Sequence, residues 1–462
     1  MENILHDFNK KIISLVENYL KKFIFSKGIS SFTDDLVAEF AHFGSDLTQF
    51  MIEYAEQIIF ELDERKEKFE SLEKDNRNIV SIFGEIQYKR RYYEDKENHN
   101  KVYLLDKLIG IEPKQRLLEN VREKLIENAI ESSYEYSGEH AAYGVKISRQ
   151  EVKNEIENLN LDIPLHQENE NKKQVKHVYV IADEDHVHLQ KGGIEEPRIV
   201  VVYDNFIQNG KRIELNNKRH FGGLYKGKTD DLWNEVAMYI ESTYDMDYLE
   251  NVFVLGDGAK WIKIGATWIN KGVNILDRFH MCKAVNGIAG QNNNLGKNEL
   301  YSLIRKLDFS GFKDKCYEIL SEEMEKNTRL KKEKLMNYIL NNQKGISNYY
   351  KYRDLLHGCS AEGHVSHIYS DRMSSRPMGW KSKNVDNMSK LRVLREDNIS
   401  VKTILEKQEK VIDINEYKEI KIKAERKIKK NINFKPVSLP IMTLGTHEEK
   451  EYFRKILNNE AV

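Results

Sequence analysis

The chain has 462 residues, with 73 basic against 74 acidic side chains and a formal net charge of -1. At roughly 100–200 residues per domain, that length predicts two to four domains. The charge balance excludes a globally basic coat for nucleic acid, though not local basic faces, and a hydrophobic share of 40% excludes a disordered chain. No apolar run approaches the ~18 residues of a membrane-spanning helix, so none is expected. The N-terminus shows neither the apolar region nor the small-residue cleavage site of a signal peptide. Cys282, Cys316 and Cys359 lie far apart and form no CxxC pair. Reduced thiols in a cytoplasmic protein are therefore expected, in place of a disulfide framework or a zinc ribbon.

Residues 1–78 predict a helical region. Ile4, Leu5, Phe8, Ile12, Val16 and Leu20 recur at the helical period, and Met51, Tyr54, Ile58 and Ile59 form a second stripe. The charged stretch ELDERKEKFESLEKD reads as a solvated helix end. Residues 79–112 predict a small β-containing segment, opened by IVSIFGEIQYKRRYY. There Lys89, Arg90 and Arg91 alternate with tyrosines. Such interleaving suits phosphate and base contacts, and it equally suits a charge-protected sheet edge. Residues 113–160 predict a helix-turn-helix: a short helix ending near Tyr143, a turn at Gly144, and a second helix opened by a Ser148–Glu151 capping box. Arg149, Gln150, Lys153 and Asn154 would sit where a recognition helix meets base edges. A plain helical hairpin fits the same pattern. The polar stretch 161–174 predicts a linker.

Residues 175–282 predict strands at 175–183, 198–206 and 211–220, with an Asn209-Gly210 hairpin turn between the second and third. A helix, a strand at 251–258, another helix and a short strand at 273–277 follow. That is the element order of an RNase H-like mixed α/β core. Residues 283–355 are lysine-rich with a helical period, and predict an all-α insertion. Residues 356–400 would return to the core, and 401–462 form a basic C-terminal region with seven Lys/Arg and two Glu between Lys418 and Lys430. The fold class expected is multidomain α+β.

Asp183 and Asp257 end apolar strands, where carboxylates project into the crevice at a sheet's carboxyl edge. Converging carboxylates are what two-metal phosphoryl chemistry requires. Asp185 rivals Asp183. Glu362 stands as the third acid, followed by Arg372 and Arg376, which suit phosphate. The His186/His188 and His364/His367 pairs also permit zinc, though no cysteine or HExxH frame accompanies them.

FGEIQYKRRYY, YLLDKLIG, IADEDHVHLQ, GDGAKWIK, LDRFHMCKAV and SAEGHVSHIYSDRMSSRPMGW carry a resemblance. The chain resembles bacterial insertion-sequence transposases of the DDE class. More narrowly, it is similar to the ISLre-type group, a distant relative of the Mutator-like transposases. The resemblance implies an RNase H-like core broken by an all-α insertion, with an N-terminal region that binds the element's ends. It places the catalytic, metal-binding acids at Asp183, Asp257 and Glu362, and a DNA-positioning role at His280 in a D/C-x-x-H-like motif. It further implies two Mg²⁺ or Mn²⁺ ions, and double-stranded DNA partners (terminal inverted repeats and target). A homo-oligomer assembled on DNA near the nucleoid completes that picture. A catalytically dead DNA-binding regulator, or a metal-dependent nuclease, is the alternative.

Overall fold

The computed structural model describes residues 2–23, 28–162, 171–209, 212–227, 229–290, 293–323, 325–376, 378–408 and 417–431. Most of the expected linker, and the tail beyond 431, lie outside the described residues. The chain divides into two compact units. One comprises Met1–Ala129, Ser133–Val152 and Glu409–Val462; the other comprises Ile130–Ser132 and Lys153–Gln408. The fold is mixed α+β. Among the described residues, no helix is long and apolar enough to cross a membrane.

In the first unit, helices Glu2–Phe23 and Ile29–Glu61 precede a three-stranded antiparallel sheet of β1 (Phe69–Ser81), β2 (Gly84–Asp95) and β3 (Lys101–Val102). The first strand corrects the expected helical region. Residues 69–78 are extended, because a long-range partner overrides the local helical composition. Asp75 sits opposite Arg90 and pairs with it at 3.3 Å. The apolar core under this sheet gathers Ile58, Ile59, Phe69, Ile79, Tyr88 and Tyr93. Helix Lys418–Asn431 buries Ile420 and Ala424 in the same core, and it pairs Lys423 with Glu64 and Lys427 with Glu61. One face of the basic run therefore packs, and only its other face remains solvated.

Helix Tyr134–His140 ends three residues before the expected Tyr143, and the next helix starts at Arg149. Ser148 Oγ accepts from the Glu151 amide at 3.1 Å, the capping contact that the sequence suggests. The connection of eight residues, with Gly144 at φ 63°, is longer than the 3–4-residue turn of a compact helix-turn-helix.

In the second unit the strands are β4 (His177–Glu184), β5 (Val187–His188), β6 (Ile194–Glu195), β7 (Arg198–Tyr203), β8 (Asn205–Asn209), β9 (Arg212–Asn216), β10 (Arg219–Gly223), β11 (Asn251–Gly256) and β12 (Gly272–Leu276). Five of them form one sheet, in the order β10-β7-β4-β11-β12. β7 runs antiparallel to its two neighbours, while β4, β11 and β12 are parallel. The expected strand 211–220 is split. Asn217 takes φ 54°, which ends the β8–β9 ribbon and starts β10, and β10 joins the main sheet. Alternate residues Val178, Val180, Val200, Val202, Val252 and Val254 pack under Trp233 and Ile262 from the helices that link the strands.

Helices between Arg278 and Tyr352 build a separate core around Val285, Leu300, Phe312, Ile339 and Ile346. Two of these helices are capped by Asn293 and Asp308 side chains. The chain then returns through the short helix Ala361–His364, a π-helical turn Val365–Ser370 and helix Ser382–Glu396.

Candidate active site

Three parallel strands end at the same sheet edge, and each ends on an aspartate. Asp183 is the penultimate residue of β4, Asp257 follows β11 and Asp277 follows β12. Parallel strands deliver their carboxyl ends together, so this edge is where such acids meet. The Asp277 amide donates to the Gly256 carbonyl at 2.8 Å, which ties the second and third of these ends side by side.

The GDG turn has a steric basis. A Cβ at Gly256 would lie 2.9 Å from the Ala182 carbonyl and 2.7 Å from Ile262, so only glycine lets β11 end this close to β4. Gly258 takes φ 86°, and a Cβ there would meet the buried Asn342 side chain at 2.4 Å. Between them, Asp257 Oδ1 accepts from the Ala259 amide at 2.8 Å and opens helix Lys260–Trp268. Gly258→Ala should cost roughly 1–3 kcal/mol through strain and crowding. A fall in melting temperature with unchanged far-UV circular dichroism would report it.

Burial pushes the Asp183 carboxyl up to about 6, and the neighbouring Asp257 and Glu184 charges add to that rise; the Glu184 amide and His280 oppose it. Asp277 is also raised by burial, against the amides that begin its helix and against His280. Burial likewise raises the Cys359 thiol, and the charges of Asp277, Asp183 and Asp257 raise it further. Cys359 therefore lies within electrostatic reach of all three acids. Glu362 follows three residues later, exposed in the first turn of helix Ala361–His364. Its carboxylate makes no ion pair or hydrogen bond among the described residues. Among those residues no three His, Cys, Asp or Glu side chains already stand together in metal-holding geometry.

The rival first acid faces elsewhere. Asp185 is buried, accepts from Ser374 Oγ at 2.8 and 3.1 Å, and anchors the segment before Trp380. Asp183 is therefore the strand-end acid that looks onto Asp257. His186 and His188 are exposed, with His186 beside Glu196 at 3.8 Å.

The expected DNA contacts divide. Arg90 is buried and pairs with Asp106 and Asp75, with its guanidinium 3.5 Å from the Tyr103 ring centre. Arg91 is buried against Glu56, Gln57 and Phe60. Arg372 is buried, lying over Trp380 at 5.0 Å. These three arginines brace the interior, against the expectation of exposed DNA contacts: each has an internal partner that the linear sequence does not display. Lys89, Gln150 and Arg376 are exposed. Arg149 is exposed and pairs with Glu135 at 2.8 Å, and Lys153 pairs with Glu157 at 3.5 Å. His280 is half-buried at the first turn of its helix, close enough to act on Asp183 and Asp277.

Asp277 escaped the sequence reasoning, although it ends the apolar run VNIL as Asp183 and Asp257 end theirs. That signal was present. Cys359 carries none.

Asp183→Asn supplies a test of this geometry. The folded chain holds this proton up to about pH 6, whereas an unfolded aspartate releases it near ~4. The folded state thus binds more protons between those values, so this residue's contribution to stability falls as pH rises from about 4 to about 6. Without divalent cations, the variant should match wild type at pH 4 and exceed it by roughly 1–3 kcal/mol at pH 8. Thermal melts at both pH values decide it.

The sequence pattern of UPF0236, described as an uncharacterised protein family, matches residues 28–410. Three UPF0236 proteins of Caldanaerobacter subterraneus subsp. tengcongensis are similar along nearly their whole length. One is 34% identical, over 96% of this chain and 92% of its own, under a name that joins eleven TTE-numbered designations. A second is 33% identical over 95% and 93%. A third is 35% identical over 87% of each chain.

Proposed function

This chain belongs to the uncharacterised protein family UPF0236, and from that premise we propose that it is an ISLre-type DDE transposase, which cleaves and joins DNA at the ends of an insertion sequence. The carrying observation is the Asp183–Asp257 pair: two half-buried acids at adjacent parallel strand ends, where partial burial and the neighbouring charge raise the Asp183 carboxyl to about 6.

The sheet order supports the reading by analogy of fold. Five strands ordered 3-2-1-4-5, with the second antiparallel, are the arrangement expected of an RNase H-like core and support that reading. The relative that bears eleven designations in one strain is what a self-copying element would leave behind.

The donor chemistry fits Mg²⁺ or Mn²⁺. Asp183 and Asp257 offer hard oxygens, and the unpartnered Glu362 carboxylate lies three residues from Cys359, which is within electrostatic reach of them. Divalent cations held there would supply Lewis acidity and charge neutralisation at the scissile phosphate. Asp183 would give up its proton as they bind. His280, poised beside Asp183 and Asp277, would orient the phosphate, and the exposed Arg376 would hold a flanking one. Lys89, Arg149, Gln150 and Lys153, with the solvated face of helix Lys418–Asn431, are the remaining DNA-contact residues. Two DNA ends handled together imply a homo-oligomer on DNA, close to the nucleoid.

The test is metal-dependent cleavage of duplex DNA spanning the borders of the gene, by wild type and Asp257→Asn. Joined products identify a transposase. Nicks alone identify a nuclease, and DNA binding without either identifies a regulator.

A further inference from the structure

Beside the three strand ends lies a cavity of about 850 Å³. Its walls come from the ends of β11 and β12, the Arg278–Ala289, Asn294–Arg305 and Gln343–Tyr352 helices, and residues 353–359. All of them belong to the second unit. Asp277 and Cys359 are among its lining residues, so the cavity borders the acid cluster.

Two kinds of side chain dominate the rest. Arg278, Lys297, Arg305 and Arg353 contribute four positive charges, against Asp277 and Asp354. Arg353 lies 3.4 Å from Asp354. Lys297 and Arg305 have no acidic partner among the described residues. Tyr301, Tyr349 and Tyr350 supply aromatic faces, with the last two set edge to face at 5.3 Å. Tyr301 Oη donates to the Cys282 carbonyl at 3.3 Å, so its ring is held in place.

Cations and aromatic rings around one concavity are the equipment for single-stranded nucleic acid: phosphates meet Lys and Arg while bases stack on Tyr. The volume falls in the ~300–1,000 Å³ range of sites that enclose a small ligand. A base pair inside a duplex cannot reach such a recess, whereas an unpaired nucleotide can.

We propose that this cavity holds one or two unpaired nucleotides of the DNA strand adjoining the cleaved phosphate. The proposal rests on the transposase reading. It assigns to the all-α segment the task of pulling the strand end out of the duplex and steering it toward Asp183 and Asp257. A nucleoside phosphate is the chemistry recognised; a DNA strand and a free nucleotide are its two sources, and the strand is the one proposed, because Asp277 of the acid edge lines the cavity.

The probe is a five-nucleotide single-stranded oligodeoxynucleotide with a central 2-aminopurine, titrated with the full-length protein in EDTA so that no cleavage occurs. Stacking on tyrosine quenches its fluorescence. Tyr349→Leu and Arg305→Ala should each weaken binding roughly tenfold to a hundredfold, while Tyr349→Phe should stay within about twofold of wild type. Thermal melts of each variant identify any that failed to fold, and Tyr349→Phe shows that ring loss, rather than substitution at this place, causes the effect. Wild-type affinity in folded Tyr349→Leu and Arg305→Ala overturns the cavity assignment. Competition by dAMP at concentrations near the oligonucleotide's own Kd overturns the strand as occupant, and competition only at far higher concentrations supports it. Cleavage with Mg²⁺ is assayed on the same preparations. Intact cleavage with unaltered oligonucleotide binding in the variants removes only this proposal, whereas absent cleavage by wild type removes the transposase reading itself.

Discussion

Asp257→Asn is expected to lower metal-dependent DNA cleavage about a thousandfold, while binding of the element's ends and the melting temperature barely change. The magnitude corresponds to the several kcal/mol of transition-state stabilisation that a metal-held charge supplies. The selectivity comes from the local geometry. Asp257 Oδ1 accepts from the Ala259 amide, and an asparagine oxygen can accept from the same amide, so the turn into helix Lys260–Trp268 survives. What is lost is one negative charge beside Asp183. The Asp183 carboxyl should then move down from about 6, because Asp257 is one of the charges that raise it. Glu362→Gln should cost nearly as much as Asp257→Asn, and Asp277→Asn distinctly less, since Asp277 holds the N-cap position of its helix, where asparagine serves as well. Cleavage rates of the three variants on one DNA substrate check this order. The reverse order between Glu362→Gln and Asp277→Asn would reassign the third acid to Asp277.

The legible parts of the site were those written in short-range pattern. Asp183 and Asp257 end apolar runs, and that local rule held the information without any partner being known. The illegible parts depended on distant partners. Arg90 reads as an exposed cation among tyrosines until Asp106, sixteen residues on, is seen to neutralise it. Arg91 reads the same way until Glu56, thirty-five residues back, closes on it. Residues 69–78 look like a charged helix because their strand character exists only opposite 87–95. β10 was misplaced for a subtler reason. Asn217 breaks the run 211–220 by a left-handed backbone, which asparagine tolerates but does not announce. Glu362 is separated from Asp257 by a long helical stretch, so spacing alone could not bring it to the acids.

Arg392→Ala should be the most destabilising single change in the segment that carries Glu362. The π-helical turn Val365–Ser370 departs from the regular hydrogen-bond ladder, and buried carbonyls there need another donor. Arg392 is that donor. Its side chain is 7% exposed and reaches the Ile368 and His367 carbonyls at 2.6 Å each. The same guanidinium pairs with Glu131 at 2.6 Å. The π turn also sets Tyr369, whose hydroxyl donates to the Arg198 carbonyl of β7 at 2.9 Å. Removing Arg392 leaves buried carbonyls without a donor and a void, while Glu131 keeps Arg395 as an ion partner. Two buried carbonyls left without a donor cost about 1–3 kcal/mol each, or together a fall in melting temperature on the order of 10 °C. Arg392→Lys should recover little, because an ammonium cannot serve two carbonyls and a carboxylate in one plane. Below its own melting transition Arg392→Ala should still cleave DNA more slowly than wild type, because the π turn links the Glu362 helix to β7. Urea unfolding of the three proteins, paired with cleavage rates at a temperature where all are folded, separates the two effects. A melting temperature for Arg392→Ala within about 2 °C of wild type would mean that the π turn is held by its own backbone.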